Sequence, residues 1–167
     1  MKIAQIRELD ITNGEGLGVA IFTQGCPFHC KNCFNPETWS FDGGVPFTAY
    51  FNKIIDLVSR DYIKRLSILG GEPMIKDNLD ELSRLIKYIK HYFPTKKIWL
   101  YTGYTFEELW EKEGLYRDIL LKIDFLVDGR YIDNLRDPKL KFRGSSNQRI
   151  IDMQETLNQK TIVLKKD

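Results

Sequence analysis

The stretch Cys26-Pro27-Phe28-His29-Cys30-Lys31-Asn32-Cys33 contains all three cysteines of this 167-residue chain. Three thiolates with three and then two residues between them can converge on one inorganic centre. A 4Fe–4S cube held by only three cysteines keeps one iron free for another ligand, which indicates catalysis rather than electron storage. The spacing therefore predicts an iron–sulfur centre on Cys26, Cys30 and Cys33.

Three other interpretations of this stretch fit the sequence less well. A structural zinc site needs four ligands, and the chain has neither a second cysteine pair nor a distant histidine pair. An odd number of cysteines argues against a disulfide scaffold, and buried apolar cysteines would be scattered rather than crowded beside Pro27. We expect His29 to support the loop or face solvent, and His91 to lie solvated on a helix. A non-catalytic iron–sulfur or zinc module that binds a partner stays open as an alternative.

The composition is that of an ordinary globular domain, with 43% hydrophobic and 29% charged residues. We expect one domain over residues 1–167, built around a single core. Glu8 precedes any long apolar run, and no later run approaches the length of a membrane span. These features predict a cytoplasmic protein with no leader and no membrane segment.

The charge pattern gives no support for a nucleic-acid partner, because the net charge is only +2. Basic residues do become frequent late in the chain. We interpret them as a solvated surface, with a partner-facing surface as the alternative. They are Arg136, Lys139, Lys141, Arg143, Arg149, Lys165 and Lys166.

Apolar runs of strand length alternate with helical patterns along the chain. Strands are predicted at 2–11, 19–22, 66–69, 98–101 and 124–127, with possible short strands at 149–152 and 161–164. Helices are predicted at 47–58, from Asn78 or Asp80 up to Pro94, at 105–110 and at 115–121. The glycine-rich segment 13–18 precedes a strand rather than a helix, so it predicts a turn and not a dinucleotide site.

The alternation of strand, loop and helix predicts an α/β fold with a parallel sheet. In such a sheet the loops that follow the strands lie at one edge, where these folds bind ligands. Four loops should therefore meet there. They are the cysteine loop after Phe22, Gly70 to Pro73, Thr102 to Tyr104, and Asp128 to Arg130.

These loops can surround a ligand of the open iron that carries an amine and a carboxylate, as S-adenosylmethionine does. Gly70 and Gly71 would let the ligand approach the backbone closely, and Glu72 would accept a hydrogen bond from its ammonium. Phe34 is expected to pack on the adenine, with the backbone of 32–34 reading the base edge; ordinary core packing of Phe34 is an equal alternative.

Asp128 and Arg130 form a further candidate pair after the last parallel strand. Their charges could hold polar groups of the ligand or of a partner chain. A salt bridge within the turn would produce the same sequence pattern.

The cysteine triplet and the strand-terminal Gly70-Gly71-Glu72-Pro73 resemble the radical S-adenosylmethionine superfamily. Within it, further segments resemble the family of activating proteins of anaerobic ribonucleoside-triphosphate reductase, and the resemblance extends over about residues 10–152. These segments are Gly25-Cys26-Pro27, 33–39, 98–104, Val127-Asp128-Gly129-Arg130 and 143–149.

The resemblance implies a short, incomplete (β/α) barrel with a 4Fe–4S cluster on the three cysteines. It implies that Asn32, Cys33, Phe34 and Gly71 contact S-adenosylmethionine, and that no catalytic residue is needed beyond cluster and cofactor. Reductive cleavage would give methionine and a 5′-deoxyadenosyl radical, which takes hydrogen from a glycine of the reductase and leaves a glycyl radical.

The resemblance also implies two protein partners. The glycine loop of the reductase would close the open edge of the barrel, and a reduced flavodoxin or ferredoxin would supply the electron. A different glycyl-radical enzyme or a small molecule is the alternative substrate. The segment after Asp152 has no role assigned from the sequence.

Overall fold

The computed structural model describes residues 1–166, which form one seven-stranded mixed sheet and five α-helices. The strands are β1 (Lys2–Asp10), β2 (Gly18–Thr23), β3 (Val45–Pro46), β4 (Arg65–Gly70), β5 (Lys97–Tyr101), β6 (Phe125–Asp128) and β7 (Arg149–Asp152). The helices are α1 (Phe47–Ser59), α2 (Leu79–Tyr92), α3 (Phe106–Glu111), α4 (Gly114–Leu120) and α5 (Met153–Gln159). Short 3₁₀ turns lie at Pro36–Thr38, Lys76–Asn78 and Asp133–Leu135.

The strand order in the sheet is β3-β1-β2-β4-β5-β6-β7. The four strands β2, β4, β5 and β6 are parallel, as predicted, and each precedes one of the four predicted loops. At the two ends, β1 runs antiparallel to both β2 and β3, and β7 runs antiparallel to β6. The predicted α/β class is confirmed, with antiparallel strands added on both sides of the parallel centre.

The end of the chain differs from the prediction. The possible strand at 161–164 is reduced to a single bridge between Leu164 and Ile151, and the helix α5 was not predicted. This helix has seven residues, of which two are buried, so its apolar periodicity is weak. Its start is set by Asp152, whose carboxylate accepts a hydrogen bond from the Glu155 amide at 3.1 Å.

Side chains on the parallel strands alternate between two different environments, because successive residues of a strand face opposite sides of the sheet. One side carries a row of paired residues in the main core: Ile21, Ile68, Leu100 and Leu126. Phe22, Leu69, Tyr101 and Val127 follow them in sequence and face the other side, where they line a cavity.

The helices cover the core side of the sheet. In α2 the apolar residues recur at helical spacing and are all buried: Leu82, Leu85, Ile86 and Ile89. The helix ends at Tyr92, two residues before Pro94, as its sequence predicts. None of the helices in residues 1–166 combines the length and apolar character needed to cross a membrane.

A buried ion pair closes the base of the sheet on the cavity side. The guanidinium of Arg65 is fully buried and donates to the Asp10 carboxylate at 2.8 Å and to the Ser67 hydroxyl at 2.7 Å. The Ser67 hydroxyl donates in turn to the carbonyl of Asn13 at 2.6 Å. A Cβ on Gly18 would lie 2.5 Å from the Arg65 side chain. The predicted glycine-rich turn is confirmed, and its Gly14 and Gly18 make room for this arginine.

Replacing Asp10 with alanine should destabilise the protein strongly, because Arg65 would remain buried without its counter-ion. Breaking a buried ion pair by removing one partner costs about 3–5 kcal/mol. The free energy of unfolding, measured by urea denaturation under reducing conditions, tests this. Asp56→Ala is the control, since the Asp56–Arg60 pair is exposed and such pairs contribute about 0.3–0.5 kcal/mol. Equal losses in the two variants would contradict the role given to the Asp10–Arg65 pair.

Candidate functional site

A cavity of about 490 Å³ lies on the open side of the sheet and reaches the carboxyl ends of the parallel strands. All four predicted loops contribute to its wall, through Cys26, Gly71, Thr102 and Arg130 among others. The prediction that these loops meet at one edge is therefore confirmed. Small-molecule sites usually have volumes of about 300–1,000 Å³, so the cavity has the size of a cofactor site.

The three cysteines lie in one loop on the wall of this cavity. All three thiols are free and partly exposed. The loop is held by backbone hydrogen bonds from Cys26 to the Trp39 carbonyl and from Cys33 to the Cys30 carbonyl, both at 3.1 Å. Its turns need left-handed backbone at His29 and Asn32, whose φ angles are +47° and +56°. Burial raises the pKa of the Cys26 and Cys30 thiols.

The donor set fits an iron–sulfur cube with one open corner. Three thiols of one loop share one cavity wall, and the rest of that cavity is free for a ligand. Within residues 1–166 no three His, Cys, Asp or Glu side chains lie close enough together to hold a metal ion. Ligands of a cube stand farther apart than those of a single ion, because they bind irons at different corners.

The two histidines do not add to this donor set. His29 is exposed and stacks on Trp39, with the ring centroids 4.6 Å apart and the planes at 11°. His91 is exposed at the end of α2, as expected. The stacking indicates that His29 supports the cysteine loop through Trp39.

Glu72 is buried and joins three loops of the site through its carboxylate and its amide. Its Oε1 accepts from the Gly103 amide at 2.7 Å, and its Oε2 accepts from the Thr102 hydroxyl at 2.7 Å and the Met74 amide at 2.9 Å. Its own amide donates to the Gly25 carbonyl at 2.8 Å. Burial raises the pKa of Glu72 to about 7, although these donors act in the opposite direction.

Glu72 was predicted to accept a hydrogen bond from the ammonium of a ligand. The residue does line the cavity, but its side chain is only 1% exposed and already accepts three hydrogen bonds from the protein. Its contacts therefore indicate that Glu72 positions the loops around the cavity.

Gly70 and Gly71 line the cavity as predicted, and the structure adds a second reason for glycine there. A Cβ on Gly71 would lie 2.3 Å from the Gly25 carbonyl oxygen. Gly70 has a φ of +110°, and its Cβ would lie 2.5 Å from the Thr23 amide. The missing side chains allow the two loops to touch through their backbones.

Phe34 lies at the mouth of the cavity and is 59% exposed, which rules out the alternative of core packing. Its ring contacts Tyr131 at a centroid distance of 5.0 Å.

The Asn32 side chain is not part of the cavity lining and donates to the Asp133 carboxylate at 2.8 Å. Tyr131 also donates to this carboxylate, at 2.9 Å. Asp133 thus links the cysteine loop to the segment after β6.

The structure separates the predicted pair Asp128 and Arg130. Asp128 is buried outside the cavity lining, and its carboxylate accepts from Arg149 at 2.5 and 3.0 Å and from the Phe106 amide at 2.8 Å. Arg130 lines the cavity, with its guanidinium 4.3 Å from the centre of the Phe28 ring. Asp128 therefore pairs with Arg149 of β7 rather than with Arg130 of its own turn, so the alternative of a salt bridge within the turn is wrong. Arg149 is thus one late basic residue with an internal partner.

Four arginines line the cavity, of which the sequence predicted only Arg130 as a site residue; the others are Arg7, Arg136 and Arg143. Arg7 pairs across the strands with Ala20, which packs on the cavity side, so strand alternation could have identified it. The buried Nε of Arg143 has no hydrogen-bond partner within residues 1–166. This cationic lining favours a ligand that carries an anionic group.

Comparison with known proteins gives two consistent results. Residues 12–151 match the family model described as a 4Fe-4S single cluster domain. Over 151 residues the chain is 40% identical to the anaerobic ribonucleoside-triphosphate reductase-activating protein of Pasteurella multocida, covering 89% of this chain and 95% of that protein. The protein of the same name from phage T4 is 39% identical over 153 residues, which cover 90% of this chain and 93% of that protein. The one from Escherichia coli K12 is 38% identical over 151 residues, which cover 89% of this chain and 96% of that protein.

Replacing Gly71 with alanine should deform the contact between the Gly71 loop and the cysteine loop, because its Cβ would meet a backbone carbonyl. Overpacking of this kind costs about 1–3 kcal/mol. We expect a lower free energy of unfolding and fewer irons bound per chain after anaerobic reconstitution. Gly43→Ala is the control, since its Cβ would meet the end of the Gln24 side chain at 3.3 Å rather than the backbone. A Gly71→Ala protein with wild-type stability and iron content would show that the contact is not needed.

The raised pKa of Glu72 predicts that stability falls as the pH rises from about 4.5 to about 7. In that range the folded protein keeps the Glu72 proton and the unfolded chain releases it, so rising pH favours unfolding. The difference between the Glu72 pKa in the folded and in the unfolded protein corresponds to a loss of free energy of unfolding on the order of 3 kcal/mol. Urea denaturation at several pH values, compared with Glu72→Gln, measures this contribution. We expect a flatter profile for the variant; identical slopes would contradict the assignment.

Proposed function

Because this chain belongs to the family of anaerobic ribonucleoside-triphosphate reductase-activating proteins and contains a 4Fe-4S single cluster domain, we propose that it generates the glycyl radical of such a reductase. The family resemblance predicted from the sequence is confirmed by these relatives. The observation that carries the proposal is the presence of three free thiols on the wall of a cofactor-sized cavity.

Cys26, Cys30 and Cys33 would hold the cluster and leave its fourth corner toward the cavity. When bound, the reduced cluster supplies one electron that cleaves S-adenosylmethionine to methionine and a 5′-deoxyadenosyl radical, which takes a hydrogen atom from a glycine of the reductase. We interpret the parallel centre of the sheet, from β2 through β6, as the incomplete (β/α) barrel of this chemistry. The support is its four parallel strands, whose following loops share the cavity.

The ligand would be held mainly by the loops at the strand ends. We assign contacts with S-adenosylmethionine to Asn32 and Cys33 through their backbone, to the exposed ring of Phe34, and to Gly71. The carboxylate of its methionine part suits the cationic lining, where Arg143 has an unpaired buried Nε among the described residues. Arg130 belongs to the same lining.

Glu72 would act on the ligand indirectly. Through its hydrogen bonds to Thr102, Gly103 and Met74 it keeps the loop of Gly70 and Gly71 at a constant position relative to the next loop. Its amide fixes the Gly25 carbonyl, next to the first cysteine. The positions of cluster and ligand would therefore depend on one buried residue.

The open mouth of the cavity requires a second protein. A primary carbon radical reacts with most groups that it meets, so water and other reactants must be kept away while the hydrogen atom is transferred. We propose that the reductase covers the mouth with its glycine segment, and that a reduced flavodoxin or ferredoxin of the cytoplasm supplies the electron. Reduced thiols fit that compartment.

The decisive experiment records the EPR spectrum after anaerobic reconstitution, reduction, and addition of S-adenosylmethionine and an anaerobic ribonucleoside-triphosphate reductase. We expect a glycine-centred doublet together with 5′-deoxyadenosine. Deoxyadenosine without the doublet would favour another glycyl-radical enzyme or a small molecule as substrate. Neither product from an intact reduced cluster would favour the non-catalytic iron–sulfur module.

Replacing Cys26, Cys30 or Cys33 singly with alanine should abolish the formation of 5′-deoxyadenosine, since two thiolates cannot hold the cube with a defined open corner. Product is measured by chromatography after reduction, and bound iron by chemical assay. Lys31→Ala is the matched control, because Lys31 is an exposed residue of the same loop. Full activity of any one cysteine variant would remove that residue from the ligand set.

A further inference from the structure

The segment Tyr131–Arg136 presents two apolar side chains to solvent at the edge of the cavity. Ile132 is 43% exposed and Leu135 is 41% exposed. They belong to the 3₁₀ turn Asp133–Leu135 and the residue that precedes it. We call Ile132 and Leu135, with their neighbours Tyr131 and Arg136, the apolar patch.

The apolar patch is continuous with the mouth of the cavity. Tyr131 and Arg136 themselves line the cavity, and both contact the Phe34 ring, at 5.0 and 5.8 Å respectively. Asp133, between the two apolar residues, accepts a hydrogen bond from Asn32 of the cysteine loop. A molecule that covers the apolar patch therefore also reaches the entrance to the site.

The backbone of the apolar patch is held by hydrogen bonds on both sides of the turn. The Leu135 amide donates to the Ile132 carbonyl at 2.9 Å, and the Leu135 carbonyl accepts from the Ser146 amide at 2.9 Å. The Ile132 amide donates to the Ser145 hydroxyl at 3.1 Å. An exposed pair of this kind is already ordered before any partner arrives, so binding loses little conformational entropy.

The residue types and charges suit a protein partner. Tyrosine and arginine dominate the energetic centres of protein interfaces, and here they flank two aliphatic residues. The one carboxylate in the turn, that of Asp133, is compensated by hydrogen bonds from Asn32 and Tyr131. Exposed cations lie in the apolar patch, at Arg136, and near it along the chain, at Arg130 and Lys139. Lys31 of the cysteine loop is also exposed and acts electrostatically on Asp133.

We propose that the apolar patch is the docking surface for the reductase, next to the point where its glycine segment enters the cavity. This inference rests on the proposed function, since it names the surface that the partner covers. The complementary surface on the reductase should present apolar side chains flanked by carboxylates, which would pair with the surrounding cations. Continuity of the apolar patch with the radical site argues for this occupant over a second copy of the chain.

The test compares the reconstituted protein with Leu135→Asp and Ile132→Asp. Reductase affinity is measured anaerobically by biolayer interferometry, the glycyl radical by EPR, and 5′-deoxyadenosine formation by the activating protein alone. We expect each variant to bind the reductase at least tenfold more weakly and to form less glycyl radical, while its own cleavage of S-adenosylmethionine stays within twofold of wild type. Leu121→Asp is the matched control, since Leu121 is 44% exposed after α4 and outside the cavity lining, and it should bind normally.

Wild-type affinity in Leu135→Asp and Ile132→Asp would overturn the docking surface while leaving the proposed function intact. A change in oligomeric state without a change in reductase affinity would also overturn it, because the apolar patch would then bind a second copy. If an aspartate variant loses its own cleavage activity, Leu135→Ser and Ile132→Ser carry the same comparison. Failure of the wild-type protein to form any glycyl radical would instead refute the proposed function.

Discussion

The contacts of the Glu72 carboxylate hold the loops of the site in their relative positions. A carboxyl group that is almost fully buried would be costly without partners, and here three protein donors surround it. These donors come from two neighbouring strand ends, and the Glu72 amide reaches a third loop at the Gly25 carbonyl. Because the glycines beside it have no side chains, the same loops can touch through their backbones. The geometry of the cysteine loop therefore depends on a residue that is far from it in sequence.

One side of the sheet stabilises the fold, and the other side forms the cavity. One side packs against the helices and supplies the core, with Ile68 and Leu100 at its centre. The other side carries the cavity, and an ion pair closes its base, where Arg65 donates to the Asp10 carboxylate away from water. The same strands form both the core and the floor of the cavity. The cavity stays open at its mouth.

In the proposed function, that open mouth is where the partner protein meets the site. The cysteine loop, the exposed Phe34 ring and the segment that carries Ile132 and Leu135 lie side by side at the entrance. Asp133 connects two of them by accepting hydrogen bonds from Asn32 and Tyr131. A partner that settles on this rim would contact the loop that holds the cysteines. Docking and protection of a reactive intermediate would then be a single event.

The local features of the protein follow from the sequence alone: the cysteine loop, the parallel strands, the two longer helices and the family. These follow from spacings of two and 3.6 residues and from short motifs, which depend only on neighbours in the chain. The roles of Glu72, Asp128 and Asp133 depend instead on the tertiary structure. Their sequence context shows a charged residue at a strand end or turn, whereas their partners Thr102, Arg149 and Asn32 lie 30, 21 and 101 residues away. Which of several possible partners a side chain meets depends on how distant strands and loops pack, and the periodicity of one segment contains no information about that packing.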